Sequence, residues 1–129
     1  RDITEDVIST AKSFLGTPSK IGGTDKDYID ASGLVFISIK NNSSTEFPRI
    51  AQEMARFGEI ILEPKDLKRG DLVFFFDTYE VDRIITSVGI YTGKGEFITS
   101  TSSKGVIIKS IDDPYYWSQK FFYGTRIFN

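Results

Sequence analysis

The chain has 129 residues, a formal net charge of −2 and ordinary fractions of hydrophobic (40%) and charged (26%) residues. This length fits a single globular domain spanning residues 1–129, and the scattered Lys and Arg residues indicate no nucleic-acid-binding surface. The sequence contains no Cys and no His, which excludes disulfides, thiolate metal sites and cysteine catalysis and removes the commonest general base.

The first part of the sequence has the patterns of helices. Residues 4–16 carry an apolar stripe at helical spacing, with Thr4 as the predicted N-cap and Gly16 as the predicted end. After a loop rich in Gly and Pro, a second helix is predicted over about residues 30–40, with Asp30 as its N-cap.

The patterns then change from helix to strand. A third helix is predicted over residues 48–58, and a helical turn lies within residues 114–122. Apolar segments bounded by turn residues predict antiparallel strands over residues 71–76, 84–92, 96–102, 105–111 and 122–128. Helices followed by such strands indicate an α+β fold, with N-terminal helices packed on a central antiparallel sheet.

The segment GKG, residues 93–95, predicts a hairpin turn between two strands. If the turn is centred on Lys94, Ser87 lies opposite Thr101 and diagonal to Thr99, on the same face of the sheet. A two-residue turn would instead shift the register by one residue and move Thr99 to the other face.

Six segments, in their order and spacing, resemble the NlpC-type cell-wall peptidases, which are papain-like cysteine peptidases. They are FLGTPSKIGGT, DASGLV, FPRIAQEMARFG, DLKRGDLVFFF, SVGIYTGKGEFITSTSSKGVIIKSI and the terminal RIF, and they extend over nearly the whole chain. The subgroup that they resemble most is the small periplasmic murein endopeptidases. The resemblance implies a papain-like fold and, for active members, hydrolysis of peptide bonds in peptidoglycan stems.

The resemblance also locates the family's catalytic positions. In the family a Cys follows the Asp at the start of the second helix, a His precedes the VGIY strand, and a second polar residue, commonly His, lies twelve positions later. These positions are Ala31, Ser87 and Thr99 in this sequence, so no catalytic residue is intact. A non-catalytic pseudoenzyme is therefore predicted. An engineered inactive variant is an alternative, although a Cys-to-Ala change alone would leave both His positions in place.

A ligand groove is expected beside the start of the second helix, along Ser19, Asp30, Ser32, Ser87 and Thr99. Ser19 stands where the family usually has an aromatic residue, which alters the wall of the groove. Asp30 matches an acid that anchors the substrate's free amine in some members, although N-capping alone also explains it. Ser32 is the candidate nucleophile of an alternative, a hydrolase with non-standard residues, whose base would have to be a Lys or a carboxylate.

The predicted partner is a peptidoglycan stem peptide or a protein of the bacterial envelope. No cofactor is predicted, and no metal site either, because the loop TDKDYID lacks the Gly and Glu of an EF-hand. No apolar run is long enough to span a membrane. The resemblance implies an exported protein of the periplasm or outer membrane, and a first residue of Arg1 rather than Met indicates a removed leader or lipid anchor. Residues 78–83 are expected to form either an ordinary surface loop or a plug in which Tyr79 and Val81 cover the groove.

Overall fold

The computed structural model describes residues 2–76, 78 and 84–128 of the chain. Three helices lie in the first half of this part, a short 3-10 turn, Pro64–Asp66, lies near its middle, and a fourth helix lies near its end. The helices are α1 (Thr4–Lys12), α2 (Ala31–Lys40), α3 (Ala51–Met54) and α4 (Trp117–Lys120). None of the helices in the described residues has the length and apolar character that a membrane span requires.

Six strands form one sheet in which every neighbouring pair is antiparallel. They are β1 (Glu59–Ile61), β2 (Leu72–Phe76), β3 (Ile85–Gly93), β4 (Glu96–Thr101), β5 (Gly105–Ser110) and β6 (Phe121–Arg126). Their order across the sheet is β1-β6-β2-β3-β4-β5. Because α2 packs on β3 and β4, and α1 packs on α2, the predicted α+β architecture is confirmed.

The boundaries of α1 differ from the prediction. The N-cap position is Ile3, which makes no side-chain hydrogen bond, so the predicted cap at Thr4 is wrong. Instead, the Asp2 carboxylate accepts a hydrogen bond from the Thr4 N–H at 2.9 Å. The helix ends at Lys12, before the predicted Gly16, whose φ of 89° is unfavourable for other residues and whose N–H bonds to a carbonyl of β5.

The third helix is shorter than predicted, and one strand was missed. Only Ala51–Met54 is helical in the segment 48–58. Glu59–Ile61 then forms β1, which pairs with β6 near the other end of the chain. Three residues are too few to show an alternating pattern, so this strand depends on a distant pairing that local sequence does not reveal.

The β3–β4 hairpin has a two-residue turn, yet it keeps the register expected for a turn centred on Lys94. Its turn has two residues, Lys94 and Gly95, which both have positive φ (54° and 77°). Such a turn alone would shift the register by one residue. A bulge after Tyr91 absorbs the difference, and Ile90 pairs with Ile98, which confirms the register predicted for a turn centred on Lys94.

The sheet separates two hydrophobic cores. Leu72 and Phe74 of β2 enter the core that α1 and α2 share, whereas Phe75 enters the core on the opposite face. The second core is aromatic, with the Phe75 ring centroid 4.8 Å from that of Trp117 and 4.9 Å from that of Phe97. Because Trp117 belongs to α4, this short helix covers the face of the sheet that lies away from α2.

A buried ion pair joins the start of β2 to the end of β6. The carboxylate of Asp71 accepts hydrogen bonds from Arg126 Nε at 2.9 Å and from Arg126 Nη2 at 2.8 Å. These hydrogen bonds raise the pKa of Arg126 above its usual value. Asp71 also accepts a bond from the backbone N–H of Lys68 at 2.8 Å, so the turn before β2 is fixed to the same carboxylate.

We expect Phe75→Ala to lower the free energy of unfolding by about 3–5 kcal/mol, because it removes a fully buried ring from the centre of the aromatic core. Urea denaturation followed by Trp117 fluorescence measures the loss. Tyr115→Ala is the matched control, since Tyr115 is 89% exposed and should change stability by less than about 0.5 kcal/mol. Equal stabilities of the two variants would contradict this account of the core.

Candidate functional site

One carboxylate fixes the start of α2. Asp30 occupies the N-cap position with extended backbone (φ −92°, ψ 177°), and its Oδ1 accepts a hydrogen bond from the Gly33 N–H at 2.7 Å. The predicted N-cap is confirmed, and such a cap typically contributes about 1 kcal/mol. Ala31 follows as the first residue of α2 and places a methyl group at the helix start.

The other oxygen of Asp30 fixes the loop that precedes the helix. Oδ2 accepts a hydrogen bond from the Gly22 N–H at 2.7 Å. The same loop is closed by the Ile29 N–H, which donates to the carbonyl of Pro18 at 2.9 Å. Ser19 follows Pro18 and is half-buried, so it lies beside the segment that enters α2.

Arg49 completes this cluster, and the sequence reasoning did not identify it. Its Nη2 lies 3.1 Å from Asp30 Oδ1, and its Nη1 donates to Ser32 Oγ at 2.6 Å. A weaker contact of 3.4 Å reaches the carbonyl of Gly23. Because Arg49 lies 19 residues after Asp30, no local periodicity links them, and its place in the segment FPRIAQEMARFG was the available signal.

Ser32 belongs to this network and does not face a free base in it. Its hydroxyl accepts a hydrogen bond from Arg49 and donates to Asp30 Oδ1 at 3.4 Å, which is long for a hydroxyl donor. The Asp30 carboxylate already accepts bonds from Gly22, Gly33 and Arg49. These donors take three of the roughly four lone-pair positions of the carboxylate, and the 3.4 Å contact with Ser32 is longer than a general base would need.

Ser87 and Thr99 lie in the neighbouring strands β3 and β4. The register of the Ile90–Ile98 pair, extended along both strands, places them diagonally on one face. Thr99 is fully buried, and its hydroxyl donates to the carbonyl of Val88 at 2.8 Å. This hydroxyl is therefore used within the sheet, and Ser87 is also buried.

α2 packs on β3 and β4, the strands that carry Ser87 and Thr99. Ser87 is paired with Phe75 of β2, whose side chain enters the core on the face away from α2. Over residues 2–76, 78 and 84–128, no group of three or more acidic side chains is arranged to hold a metal ion. Hydroxyl groups and the carboxylate–guanidinium pair are thus the polar chemistry that this region offers.

The connector expected beside the groove is described only in part. Its first residue, Thr78, donates its N–H to Thr86 Oγ1 at 3.0 Å, and its carbonyl accepts a bond from the Tyr116 hydroxyl at 3.4 Å. Tyr79 and Val81, the side chains of the predicted plug, lie outside the described residues.

A capped helix that packs on an antiparallel sheet and follows a hydrogen-bonded loop agrees with the fold that the sequence resemblance predicts. The chain matches the NlpC/P60 family over residues 16–126 and belongs to that family. The resemblance found in the sequence is therefore confirmed.

Two curated relatives illustrate the similarity. The chain is 34% identical over 116 residues to the probable endopeptidase NlpC of Escherichia coli, covering 90% of this chain and 73% of the relative. It is also 34% identical over 124 residues to the gamma-DL-glutamyl hydrolase of Bacillus subtilis, covering 95% of this chain but only 30% of the relative.

Solved structures share the fold. An NlpC/P60 family protein from Bacillus cereus has a TM-score of 0.84 and 28% identity, covering 98% of this chain and 40% of that one. RipD from Mycobacterium tuberculosis has a TM-score of 0.74 and 24% identity, covering 98% of both chains.

We expect Asp30→Ala to destabilise the domain by about 2 kcal/mol, because it removes the cap of α2 and leaves Gly22 and Arg49 without this partner. Urea denaturation measures the change, and Asp27→Ala, at an exposed loop position, is the matched control with an effect below about 0.5 kcal/mol.

A double-mutant cycle with Arg49→Ala tests the network directly. The losses of unfolding free energy in Asp30→Ala and in Arg49→Ala should sum to more than the loss in the double variant. We expect a coupling energy of about 0.5–3 kcal/mol, because the two side chains belong to one hydrogen-bonded cluster. Strictly additive losses would show that the pair is not coupled.

Proposed function

We propose that this domain is a non-catalytic member of the NlpC/P60 family that uses the family's groove to bind peptidoglycan stem peptides. The observation that carries the proposal is the replacement of all three catalytic positions, by Ala31, Ser87 and Thr99, in a chain without Cys or His. The family's order of helices and strands is kept. A scaffold that has lost its nucleophile and its base while keeping its form supports binding rather than hydrolysis.

The contacts of Ser32 argue against a hydrolase that uses this residue. A Ser nucleophile needs a base that takes its proton in the reaction. The carboxylate within reach, Asp30, is engaged with Arg49 and with two backbone N–H groups. Ser32 and Asp30 therefore act in the proposal as structural residues that keep the start of α2 in place.

A solved relative supports the binding role. RipD is described as a non-catalytic NlpC/p60 domain protein with an adaptation to peptidoglycan-binding function. At 24% identity the likeness to RipD shows the fold, and the extension of its binding role to this chain is part of the proposal.

Of the predicted groove residues, Ser19, Asp30 and Ser32 are partly exposed and are the proposed ligand contacts. Thr99 is fully buried and Ser87 is also buried, so neither is proposed to touch the ligand. Because the Asp30 carboxylate is occupied within the protein, we do not assign it to the free amine of a ligand. The proposed location is the bacterial envelope, in the periplasm or at the outer membrane, where stem peptides are found. An envelope protein is the alternative occupant of the groove.

We expect no turnover when the purified domain is incubated with muropeptides and the products are separated by chromatography and mass spectrometry. The physical reason is the absence of a thiol and an imidazole from the whole chain. Turnover that disappears in Ser32→Ala would overturn the non-catalytic proposal and establish the hydrolase instead.

We expect soluble stem peptides to bind at millimolar or lower concentration, as measured by changes in amide NMR shifts of residues near the start of α2. Ala31→Trp should weaken binding by about tenfold, since the large ring would occupy the groove, whereas Tyr115→Ala should leave binding unchanged. An absence of binding at millimolar peptide would remove the stem-peptide proposal and leave an envelope protein as the candidate occupant.

A restored variant provides an independent check. Ala31→Cys combined with Ser87→His and Thr99→His supplies the family's thiol and imidazoles. Turnover of muropeptides by this variant would show that the groove still accepts the family's substrate.

A further inference from the structure

A second groove lies at the opposite end of α2 from Ala31. Its lining includes Ile39, which follows Ala31 by eight residues and therefore lies about 12 Å further along the helix axis. The groove has a volume of about 800 Å³. This volume is in the range of pockets that bury drug-sized ligands, roughly 300–1,000 Å³. We call this feature the terminal groove, because residues near both ends of the described chain line it.

Half of the described residues that line the terminal groove are apolar. Ile3, Ile39, Phe47, Phe57, Ile127 and Phe128 contribute to it. The rings of Phe47 and Phe57 pack with their centroids 5.8 Å apart, yet Phe57 remains 50% exposed. An apolar concave surface of this kind is a site for binding another molecule.

Acidic side chains outnumber basic ones in the described lining of the terminal groove. Among the described residues that line it, Asp2 and Glu46 are acidic and Arg126 is basic. The Arg126 guanidinium is already paired with Asp71 and also donates to the carbonyl of Asp66 at 2.9 Å. The two carboxylates at the groove are therefore not balanced by Arg126, and they favour a cationic occupant.

An unpaired strand edge continues from the groove. Gly58 lines the groove and directly precedes β1, which is the edge strand of the sheet and pairs only with β6 in the described part of the chain. Ile60 and Leu62 beside this edge are 58% and 68% exposed. An open edge with exposed apolar side chains can pair with an added strand, and the three residues of β1 limit that pairing to a short extended segment.

We propose that the terminal groove and the edge of β1 bind an extended peptide segment of a partner protein, with apolar side chains flanked by Lys or Arg. The apolar side chains pack on Phe47 and Phe57, the basic group lies near Glu46 and Asp2, and the peptide backbone pairs with β1. This surface is separate from the residues of the proposed stem-peptide groove, so each proposal can fail without the other.

The test uses two capped peptides, acetyl-Lys-Val-Leu-Val-Lys-amide and acetyl-Glu-Val-Leu-Val-Glu-amide, titrated into the isotopically labelled domain. We expect the Lys peptide to shift the amide signals of Phe47, Gly58, Ile60 and Ile127 and to bind about tenfold more tightly than the Glu peptide. Glu46→Lys should abolish this preference, since the charge at position 46 would then cancel that of Asp2.

Phe57→Ser should lower the affinity of the domain for the Lys peptide by about tenfold, because it removes one ring of the aromatic pair. Ile21→Ser is the matched control, since Ile21 is 91% exposed in the loop before α2 and should leave the affinity unchanged. Dispersed amide spectra verify that each variant is folded. Equal affinities for the two peptides, shifts confined to residues elsewhere, or no shifts at millimolar peptide would each overturn the proposal.

Discussion

The carboxylate of Asp30 is the constraint on which the candidate site depends. Its two oxygens join the first turn of α2, the preceding loop and Arg49. Loss of this carboxylate would leave several backbone and guanidinium donors unpaired at once, which costs more than the loss of any single bond. None of these bonds involves the side chain at position 31, so the helix start is stable with Ala31 in place of a nucleophile.

The pairing of the strands in the sheet is likewise independent of the side chains at the predicted catalytic positions. Backbone hydrogen bonds form the β3–β4 ladder, so replacing long imidazoles with short hydroxyl side chains at Ser87 and Thr99 does not remove its pairing. Thr99 suits its place, because its branched side chain fits a buried strand and its hydroxyl finds the carbonyl of Val88. The pairing of β3 with β4 thus does not depend on the side chains at positions 87 and 99, since backbone atoms form the ladder.

The two ends of α2 present different surfaces. At its start, the charge of Asp30 is compensated by Arg49 and by backbone donors, and the remaining groups are small and polar. At its other end, Phe47 and Phe57 form an apolar wall beside the acidic Glu46. The two ends of α2 therefore differ in chemistry, with a paired carboxylate and guanidinium at the start and an aromatic pair beside an acidic side chain at the other end.

The sequence by itself determined the family resemblance, the α+β class, the Asp30 cap and the absence of any Cys or His, because residue type, spacing and capping chemistry act over a few neighbouring positions. The turn residues also predicted the pairing of Ile90 with Ile98, although the sequence did not predict the bulge that preserves this pairing. Only the tertiary structure decided that Arg49 joins Asp30 and Ser32, that β1 pairs with β6, and that the terminal groove exists. These features bring together residues far apart in the chain, and no local preference records which distant partner a side chain or a short strand will meet.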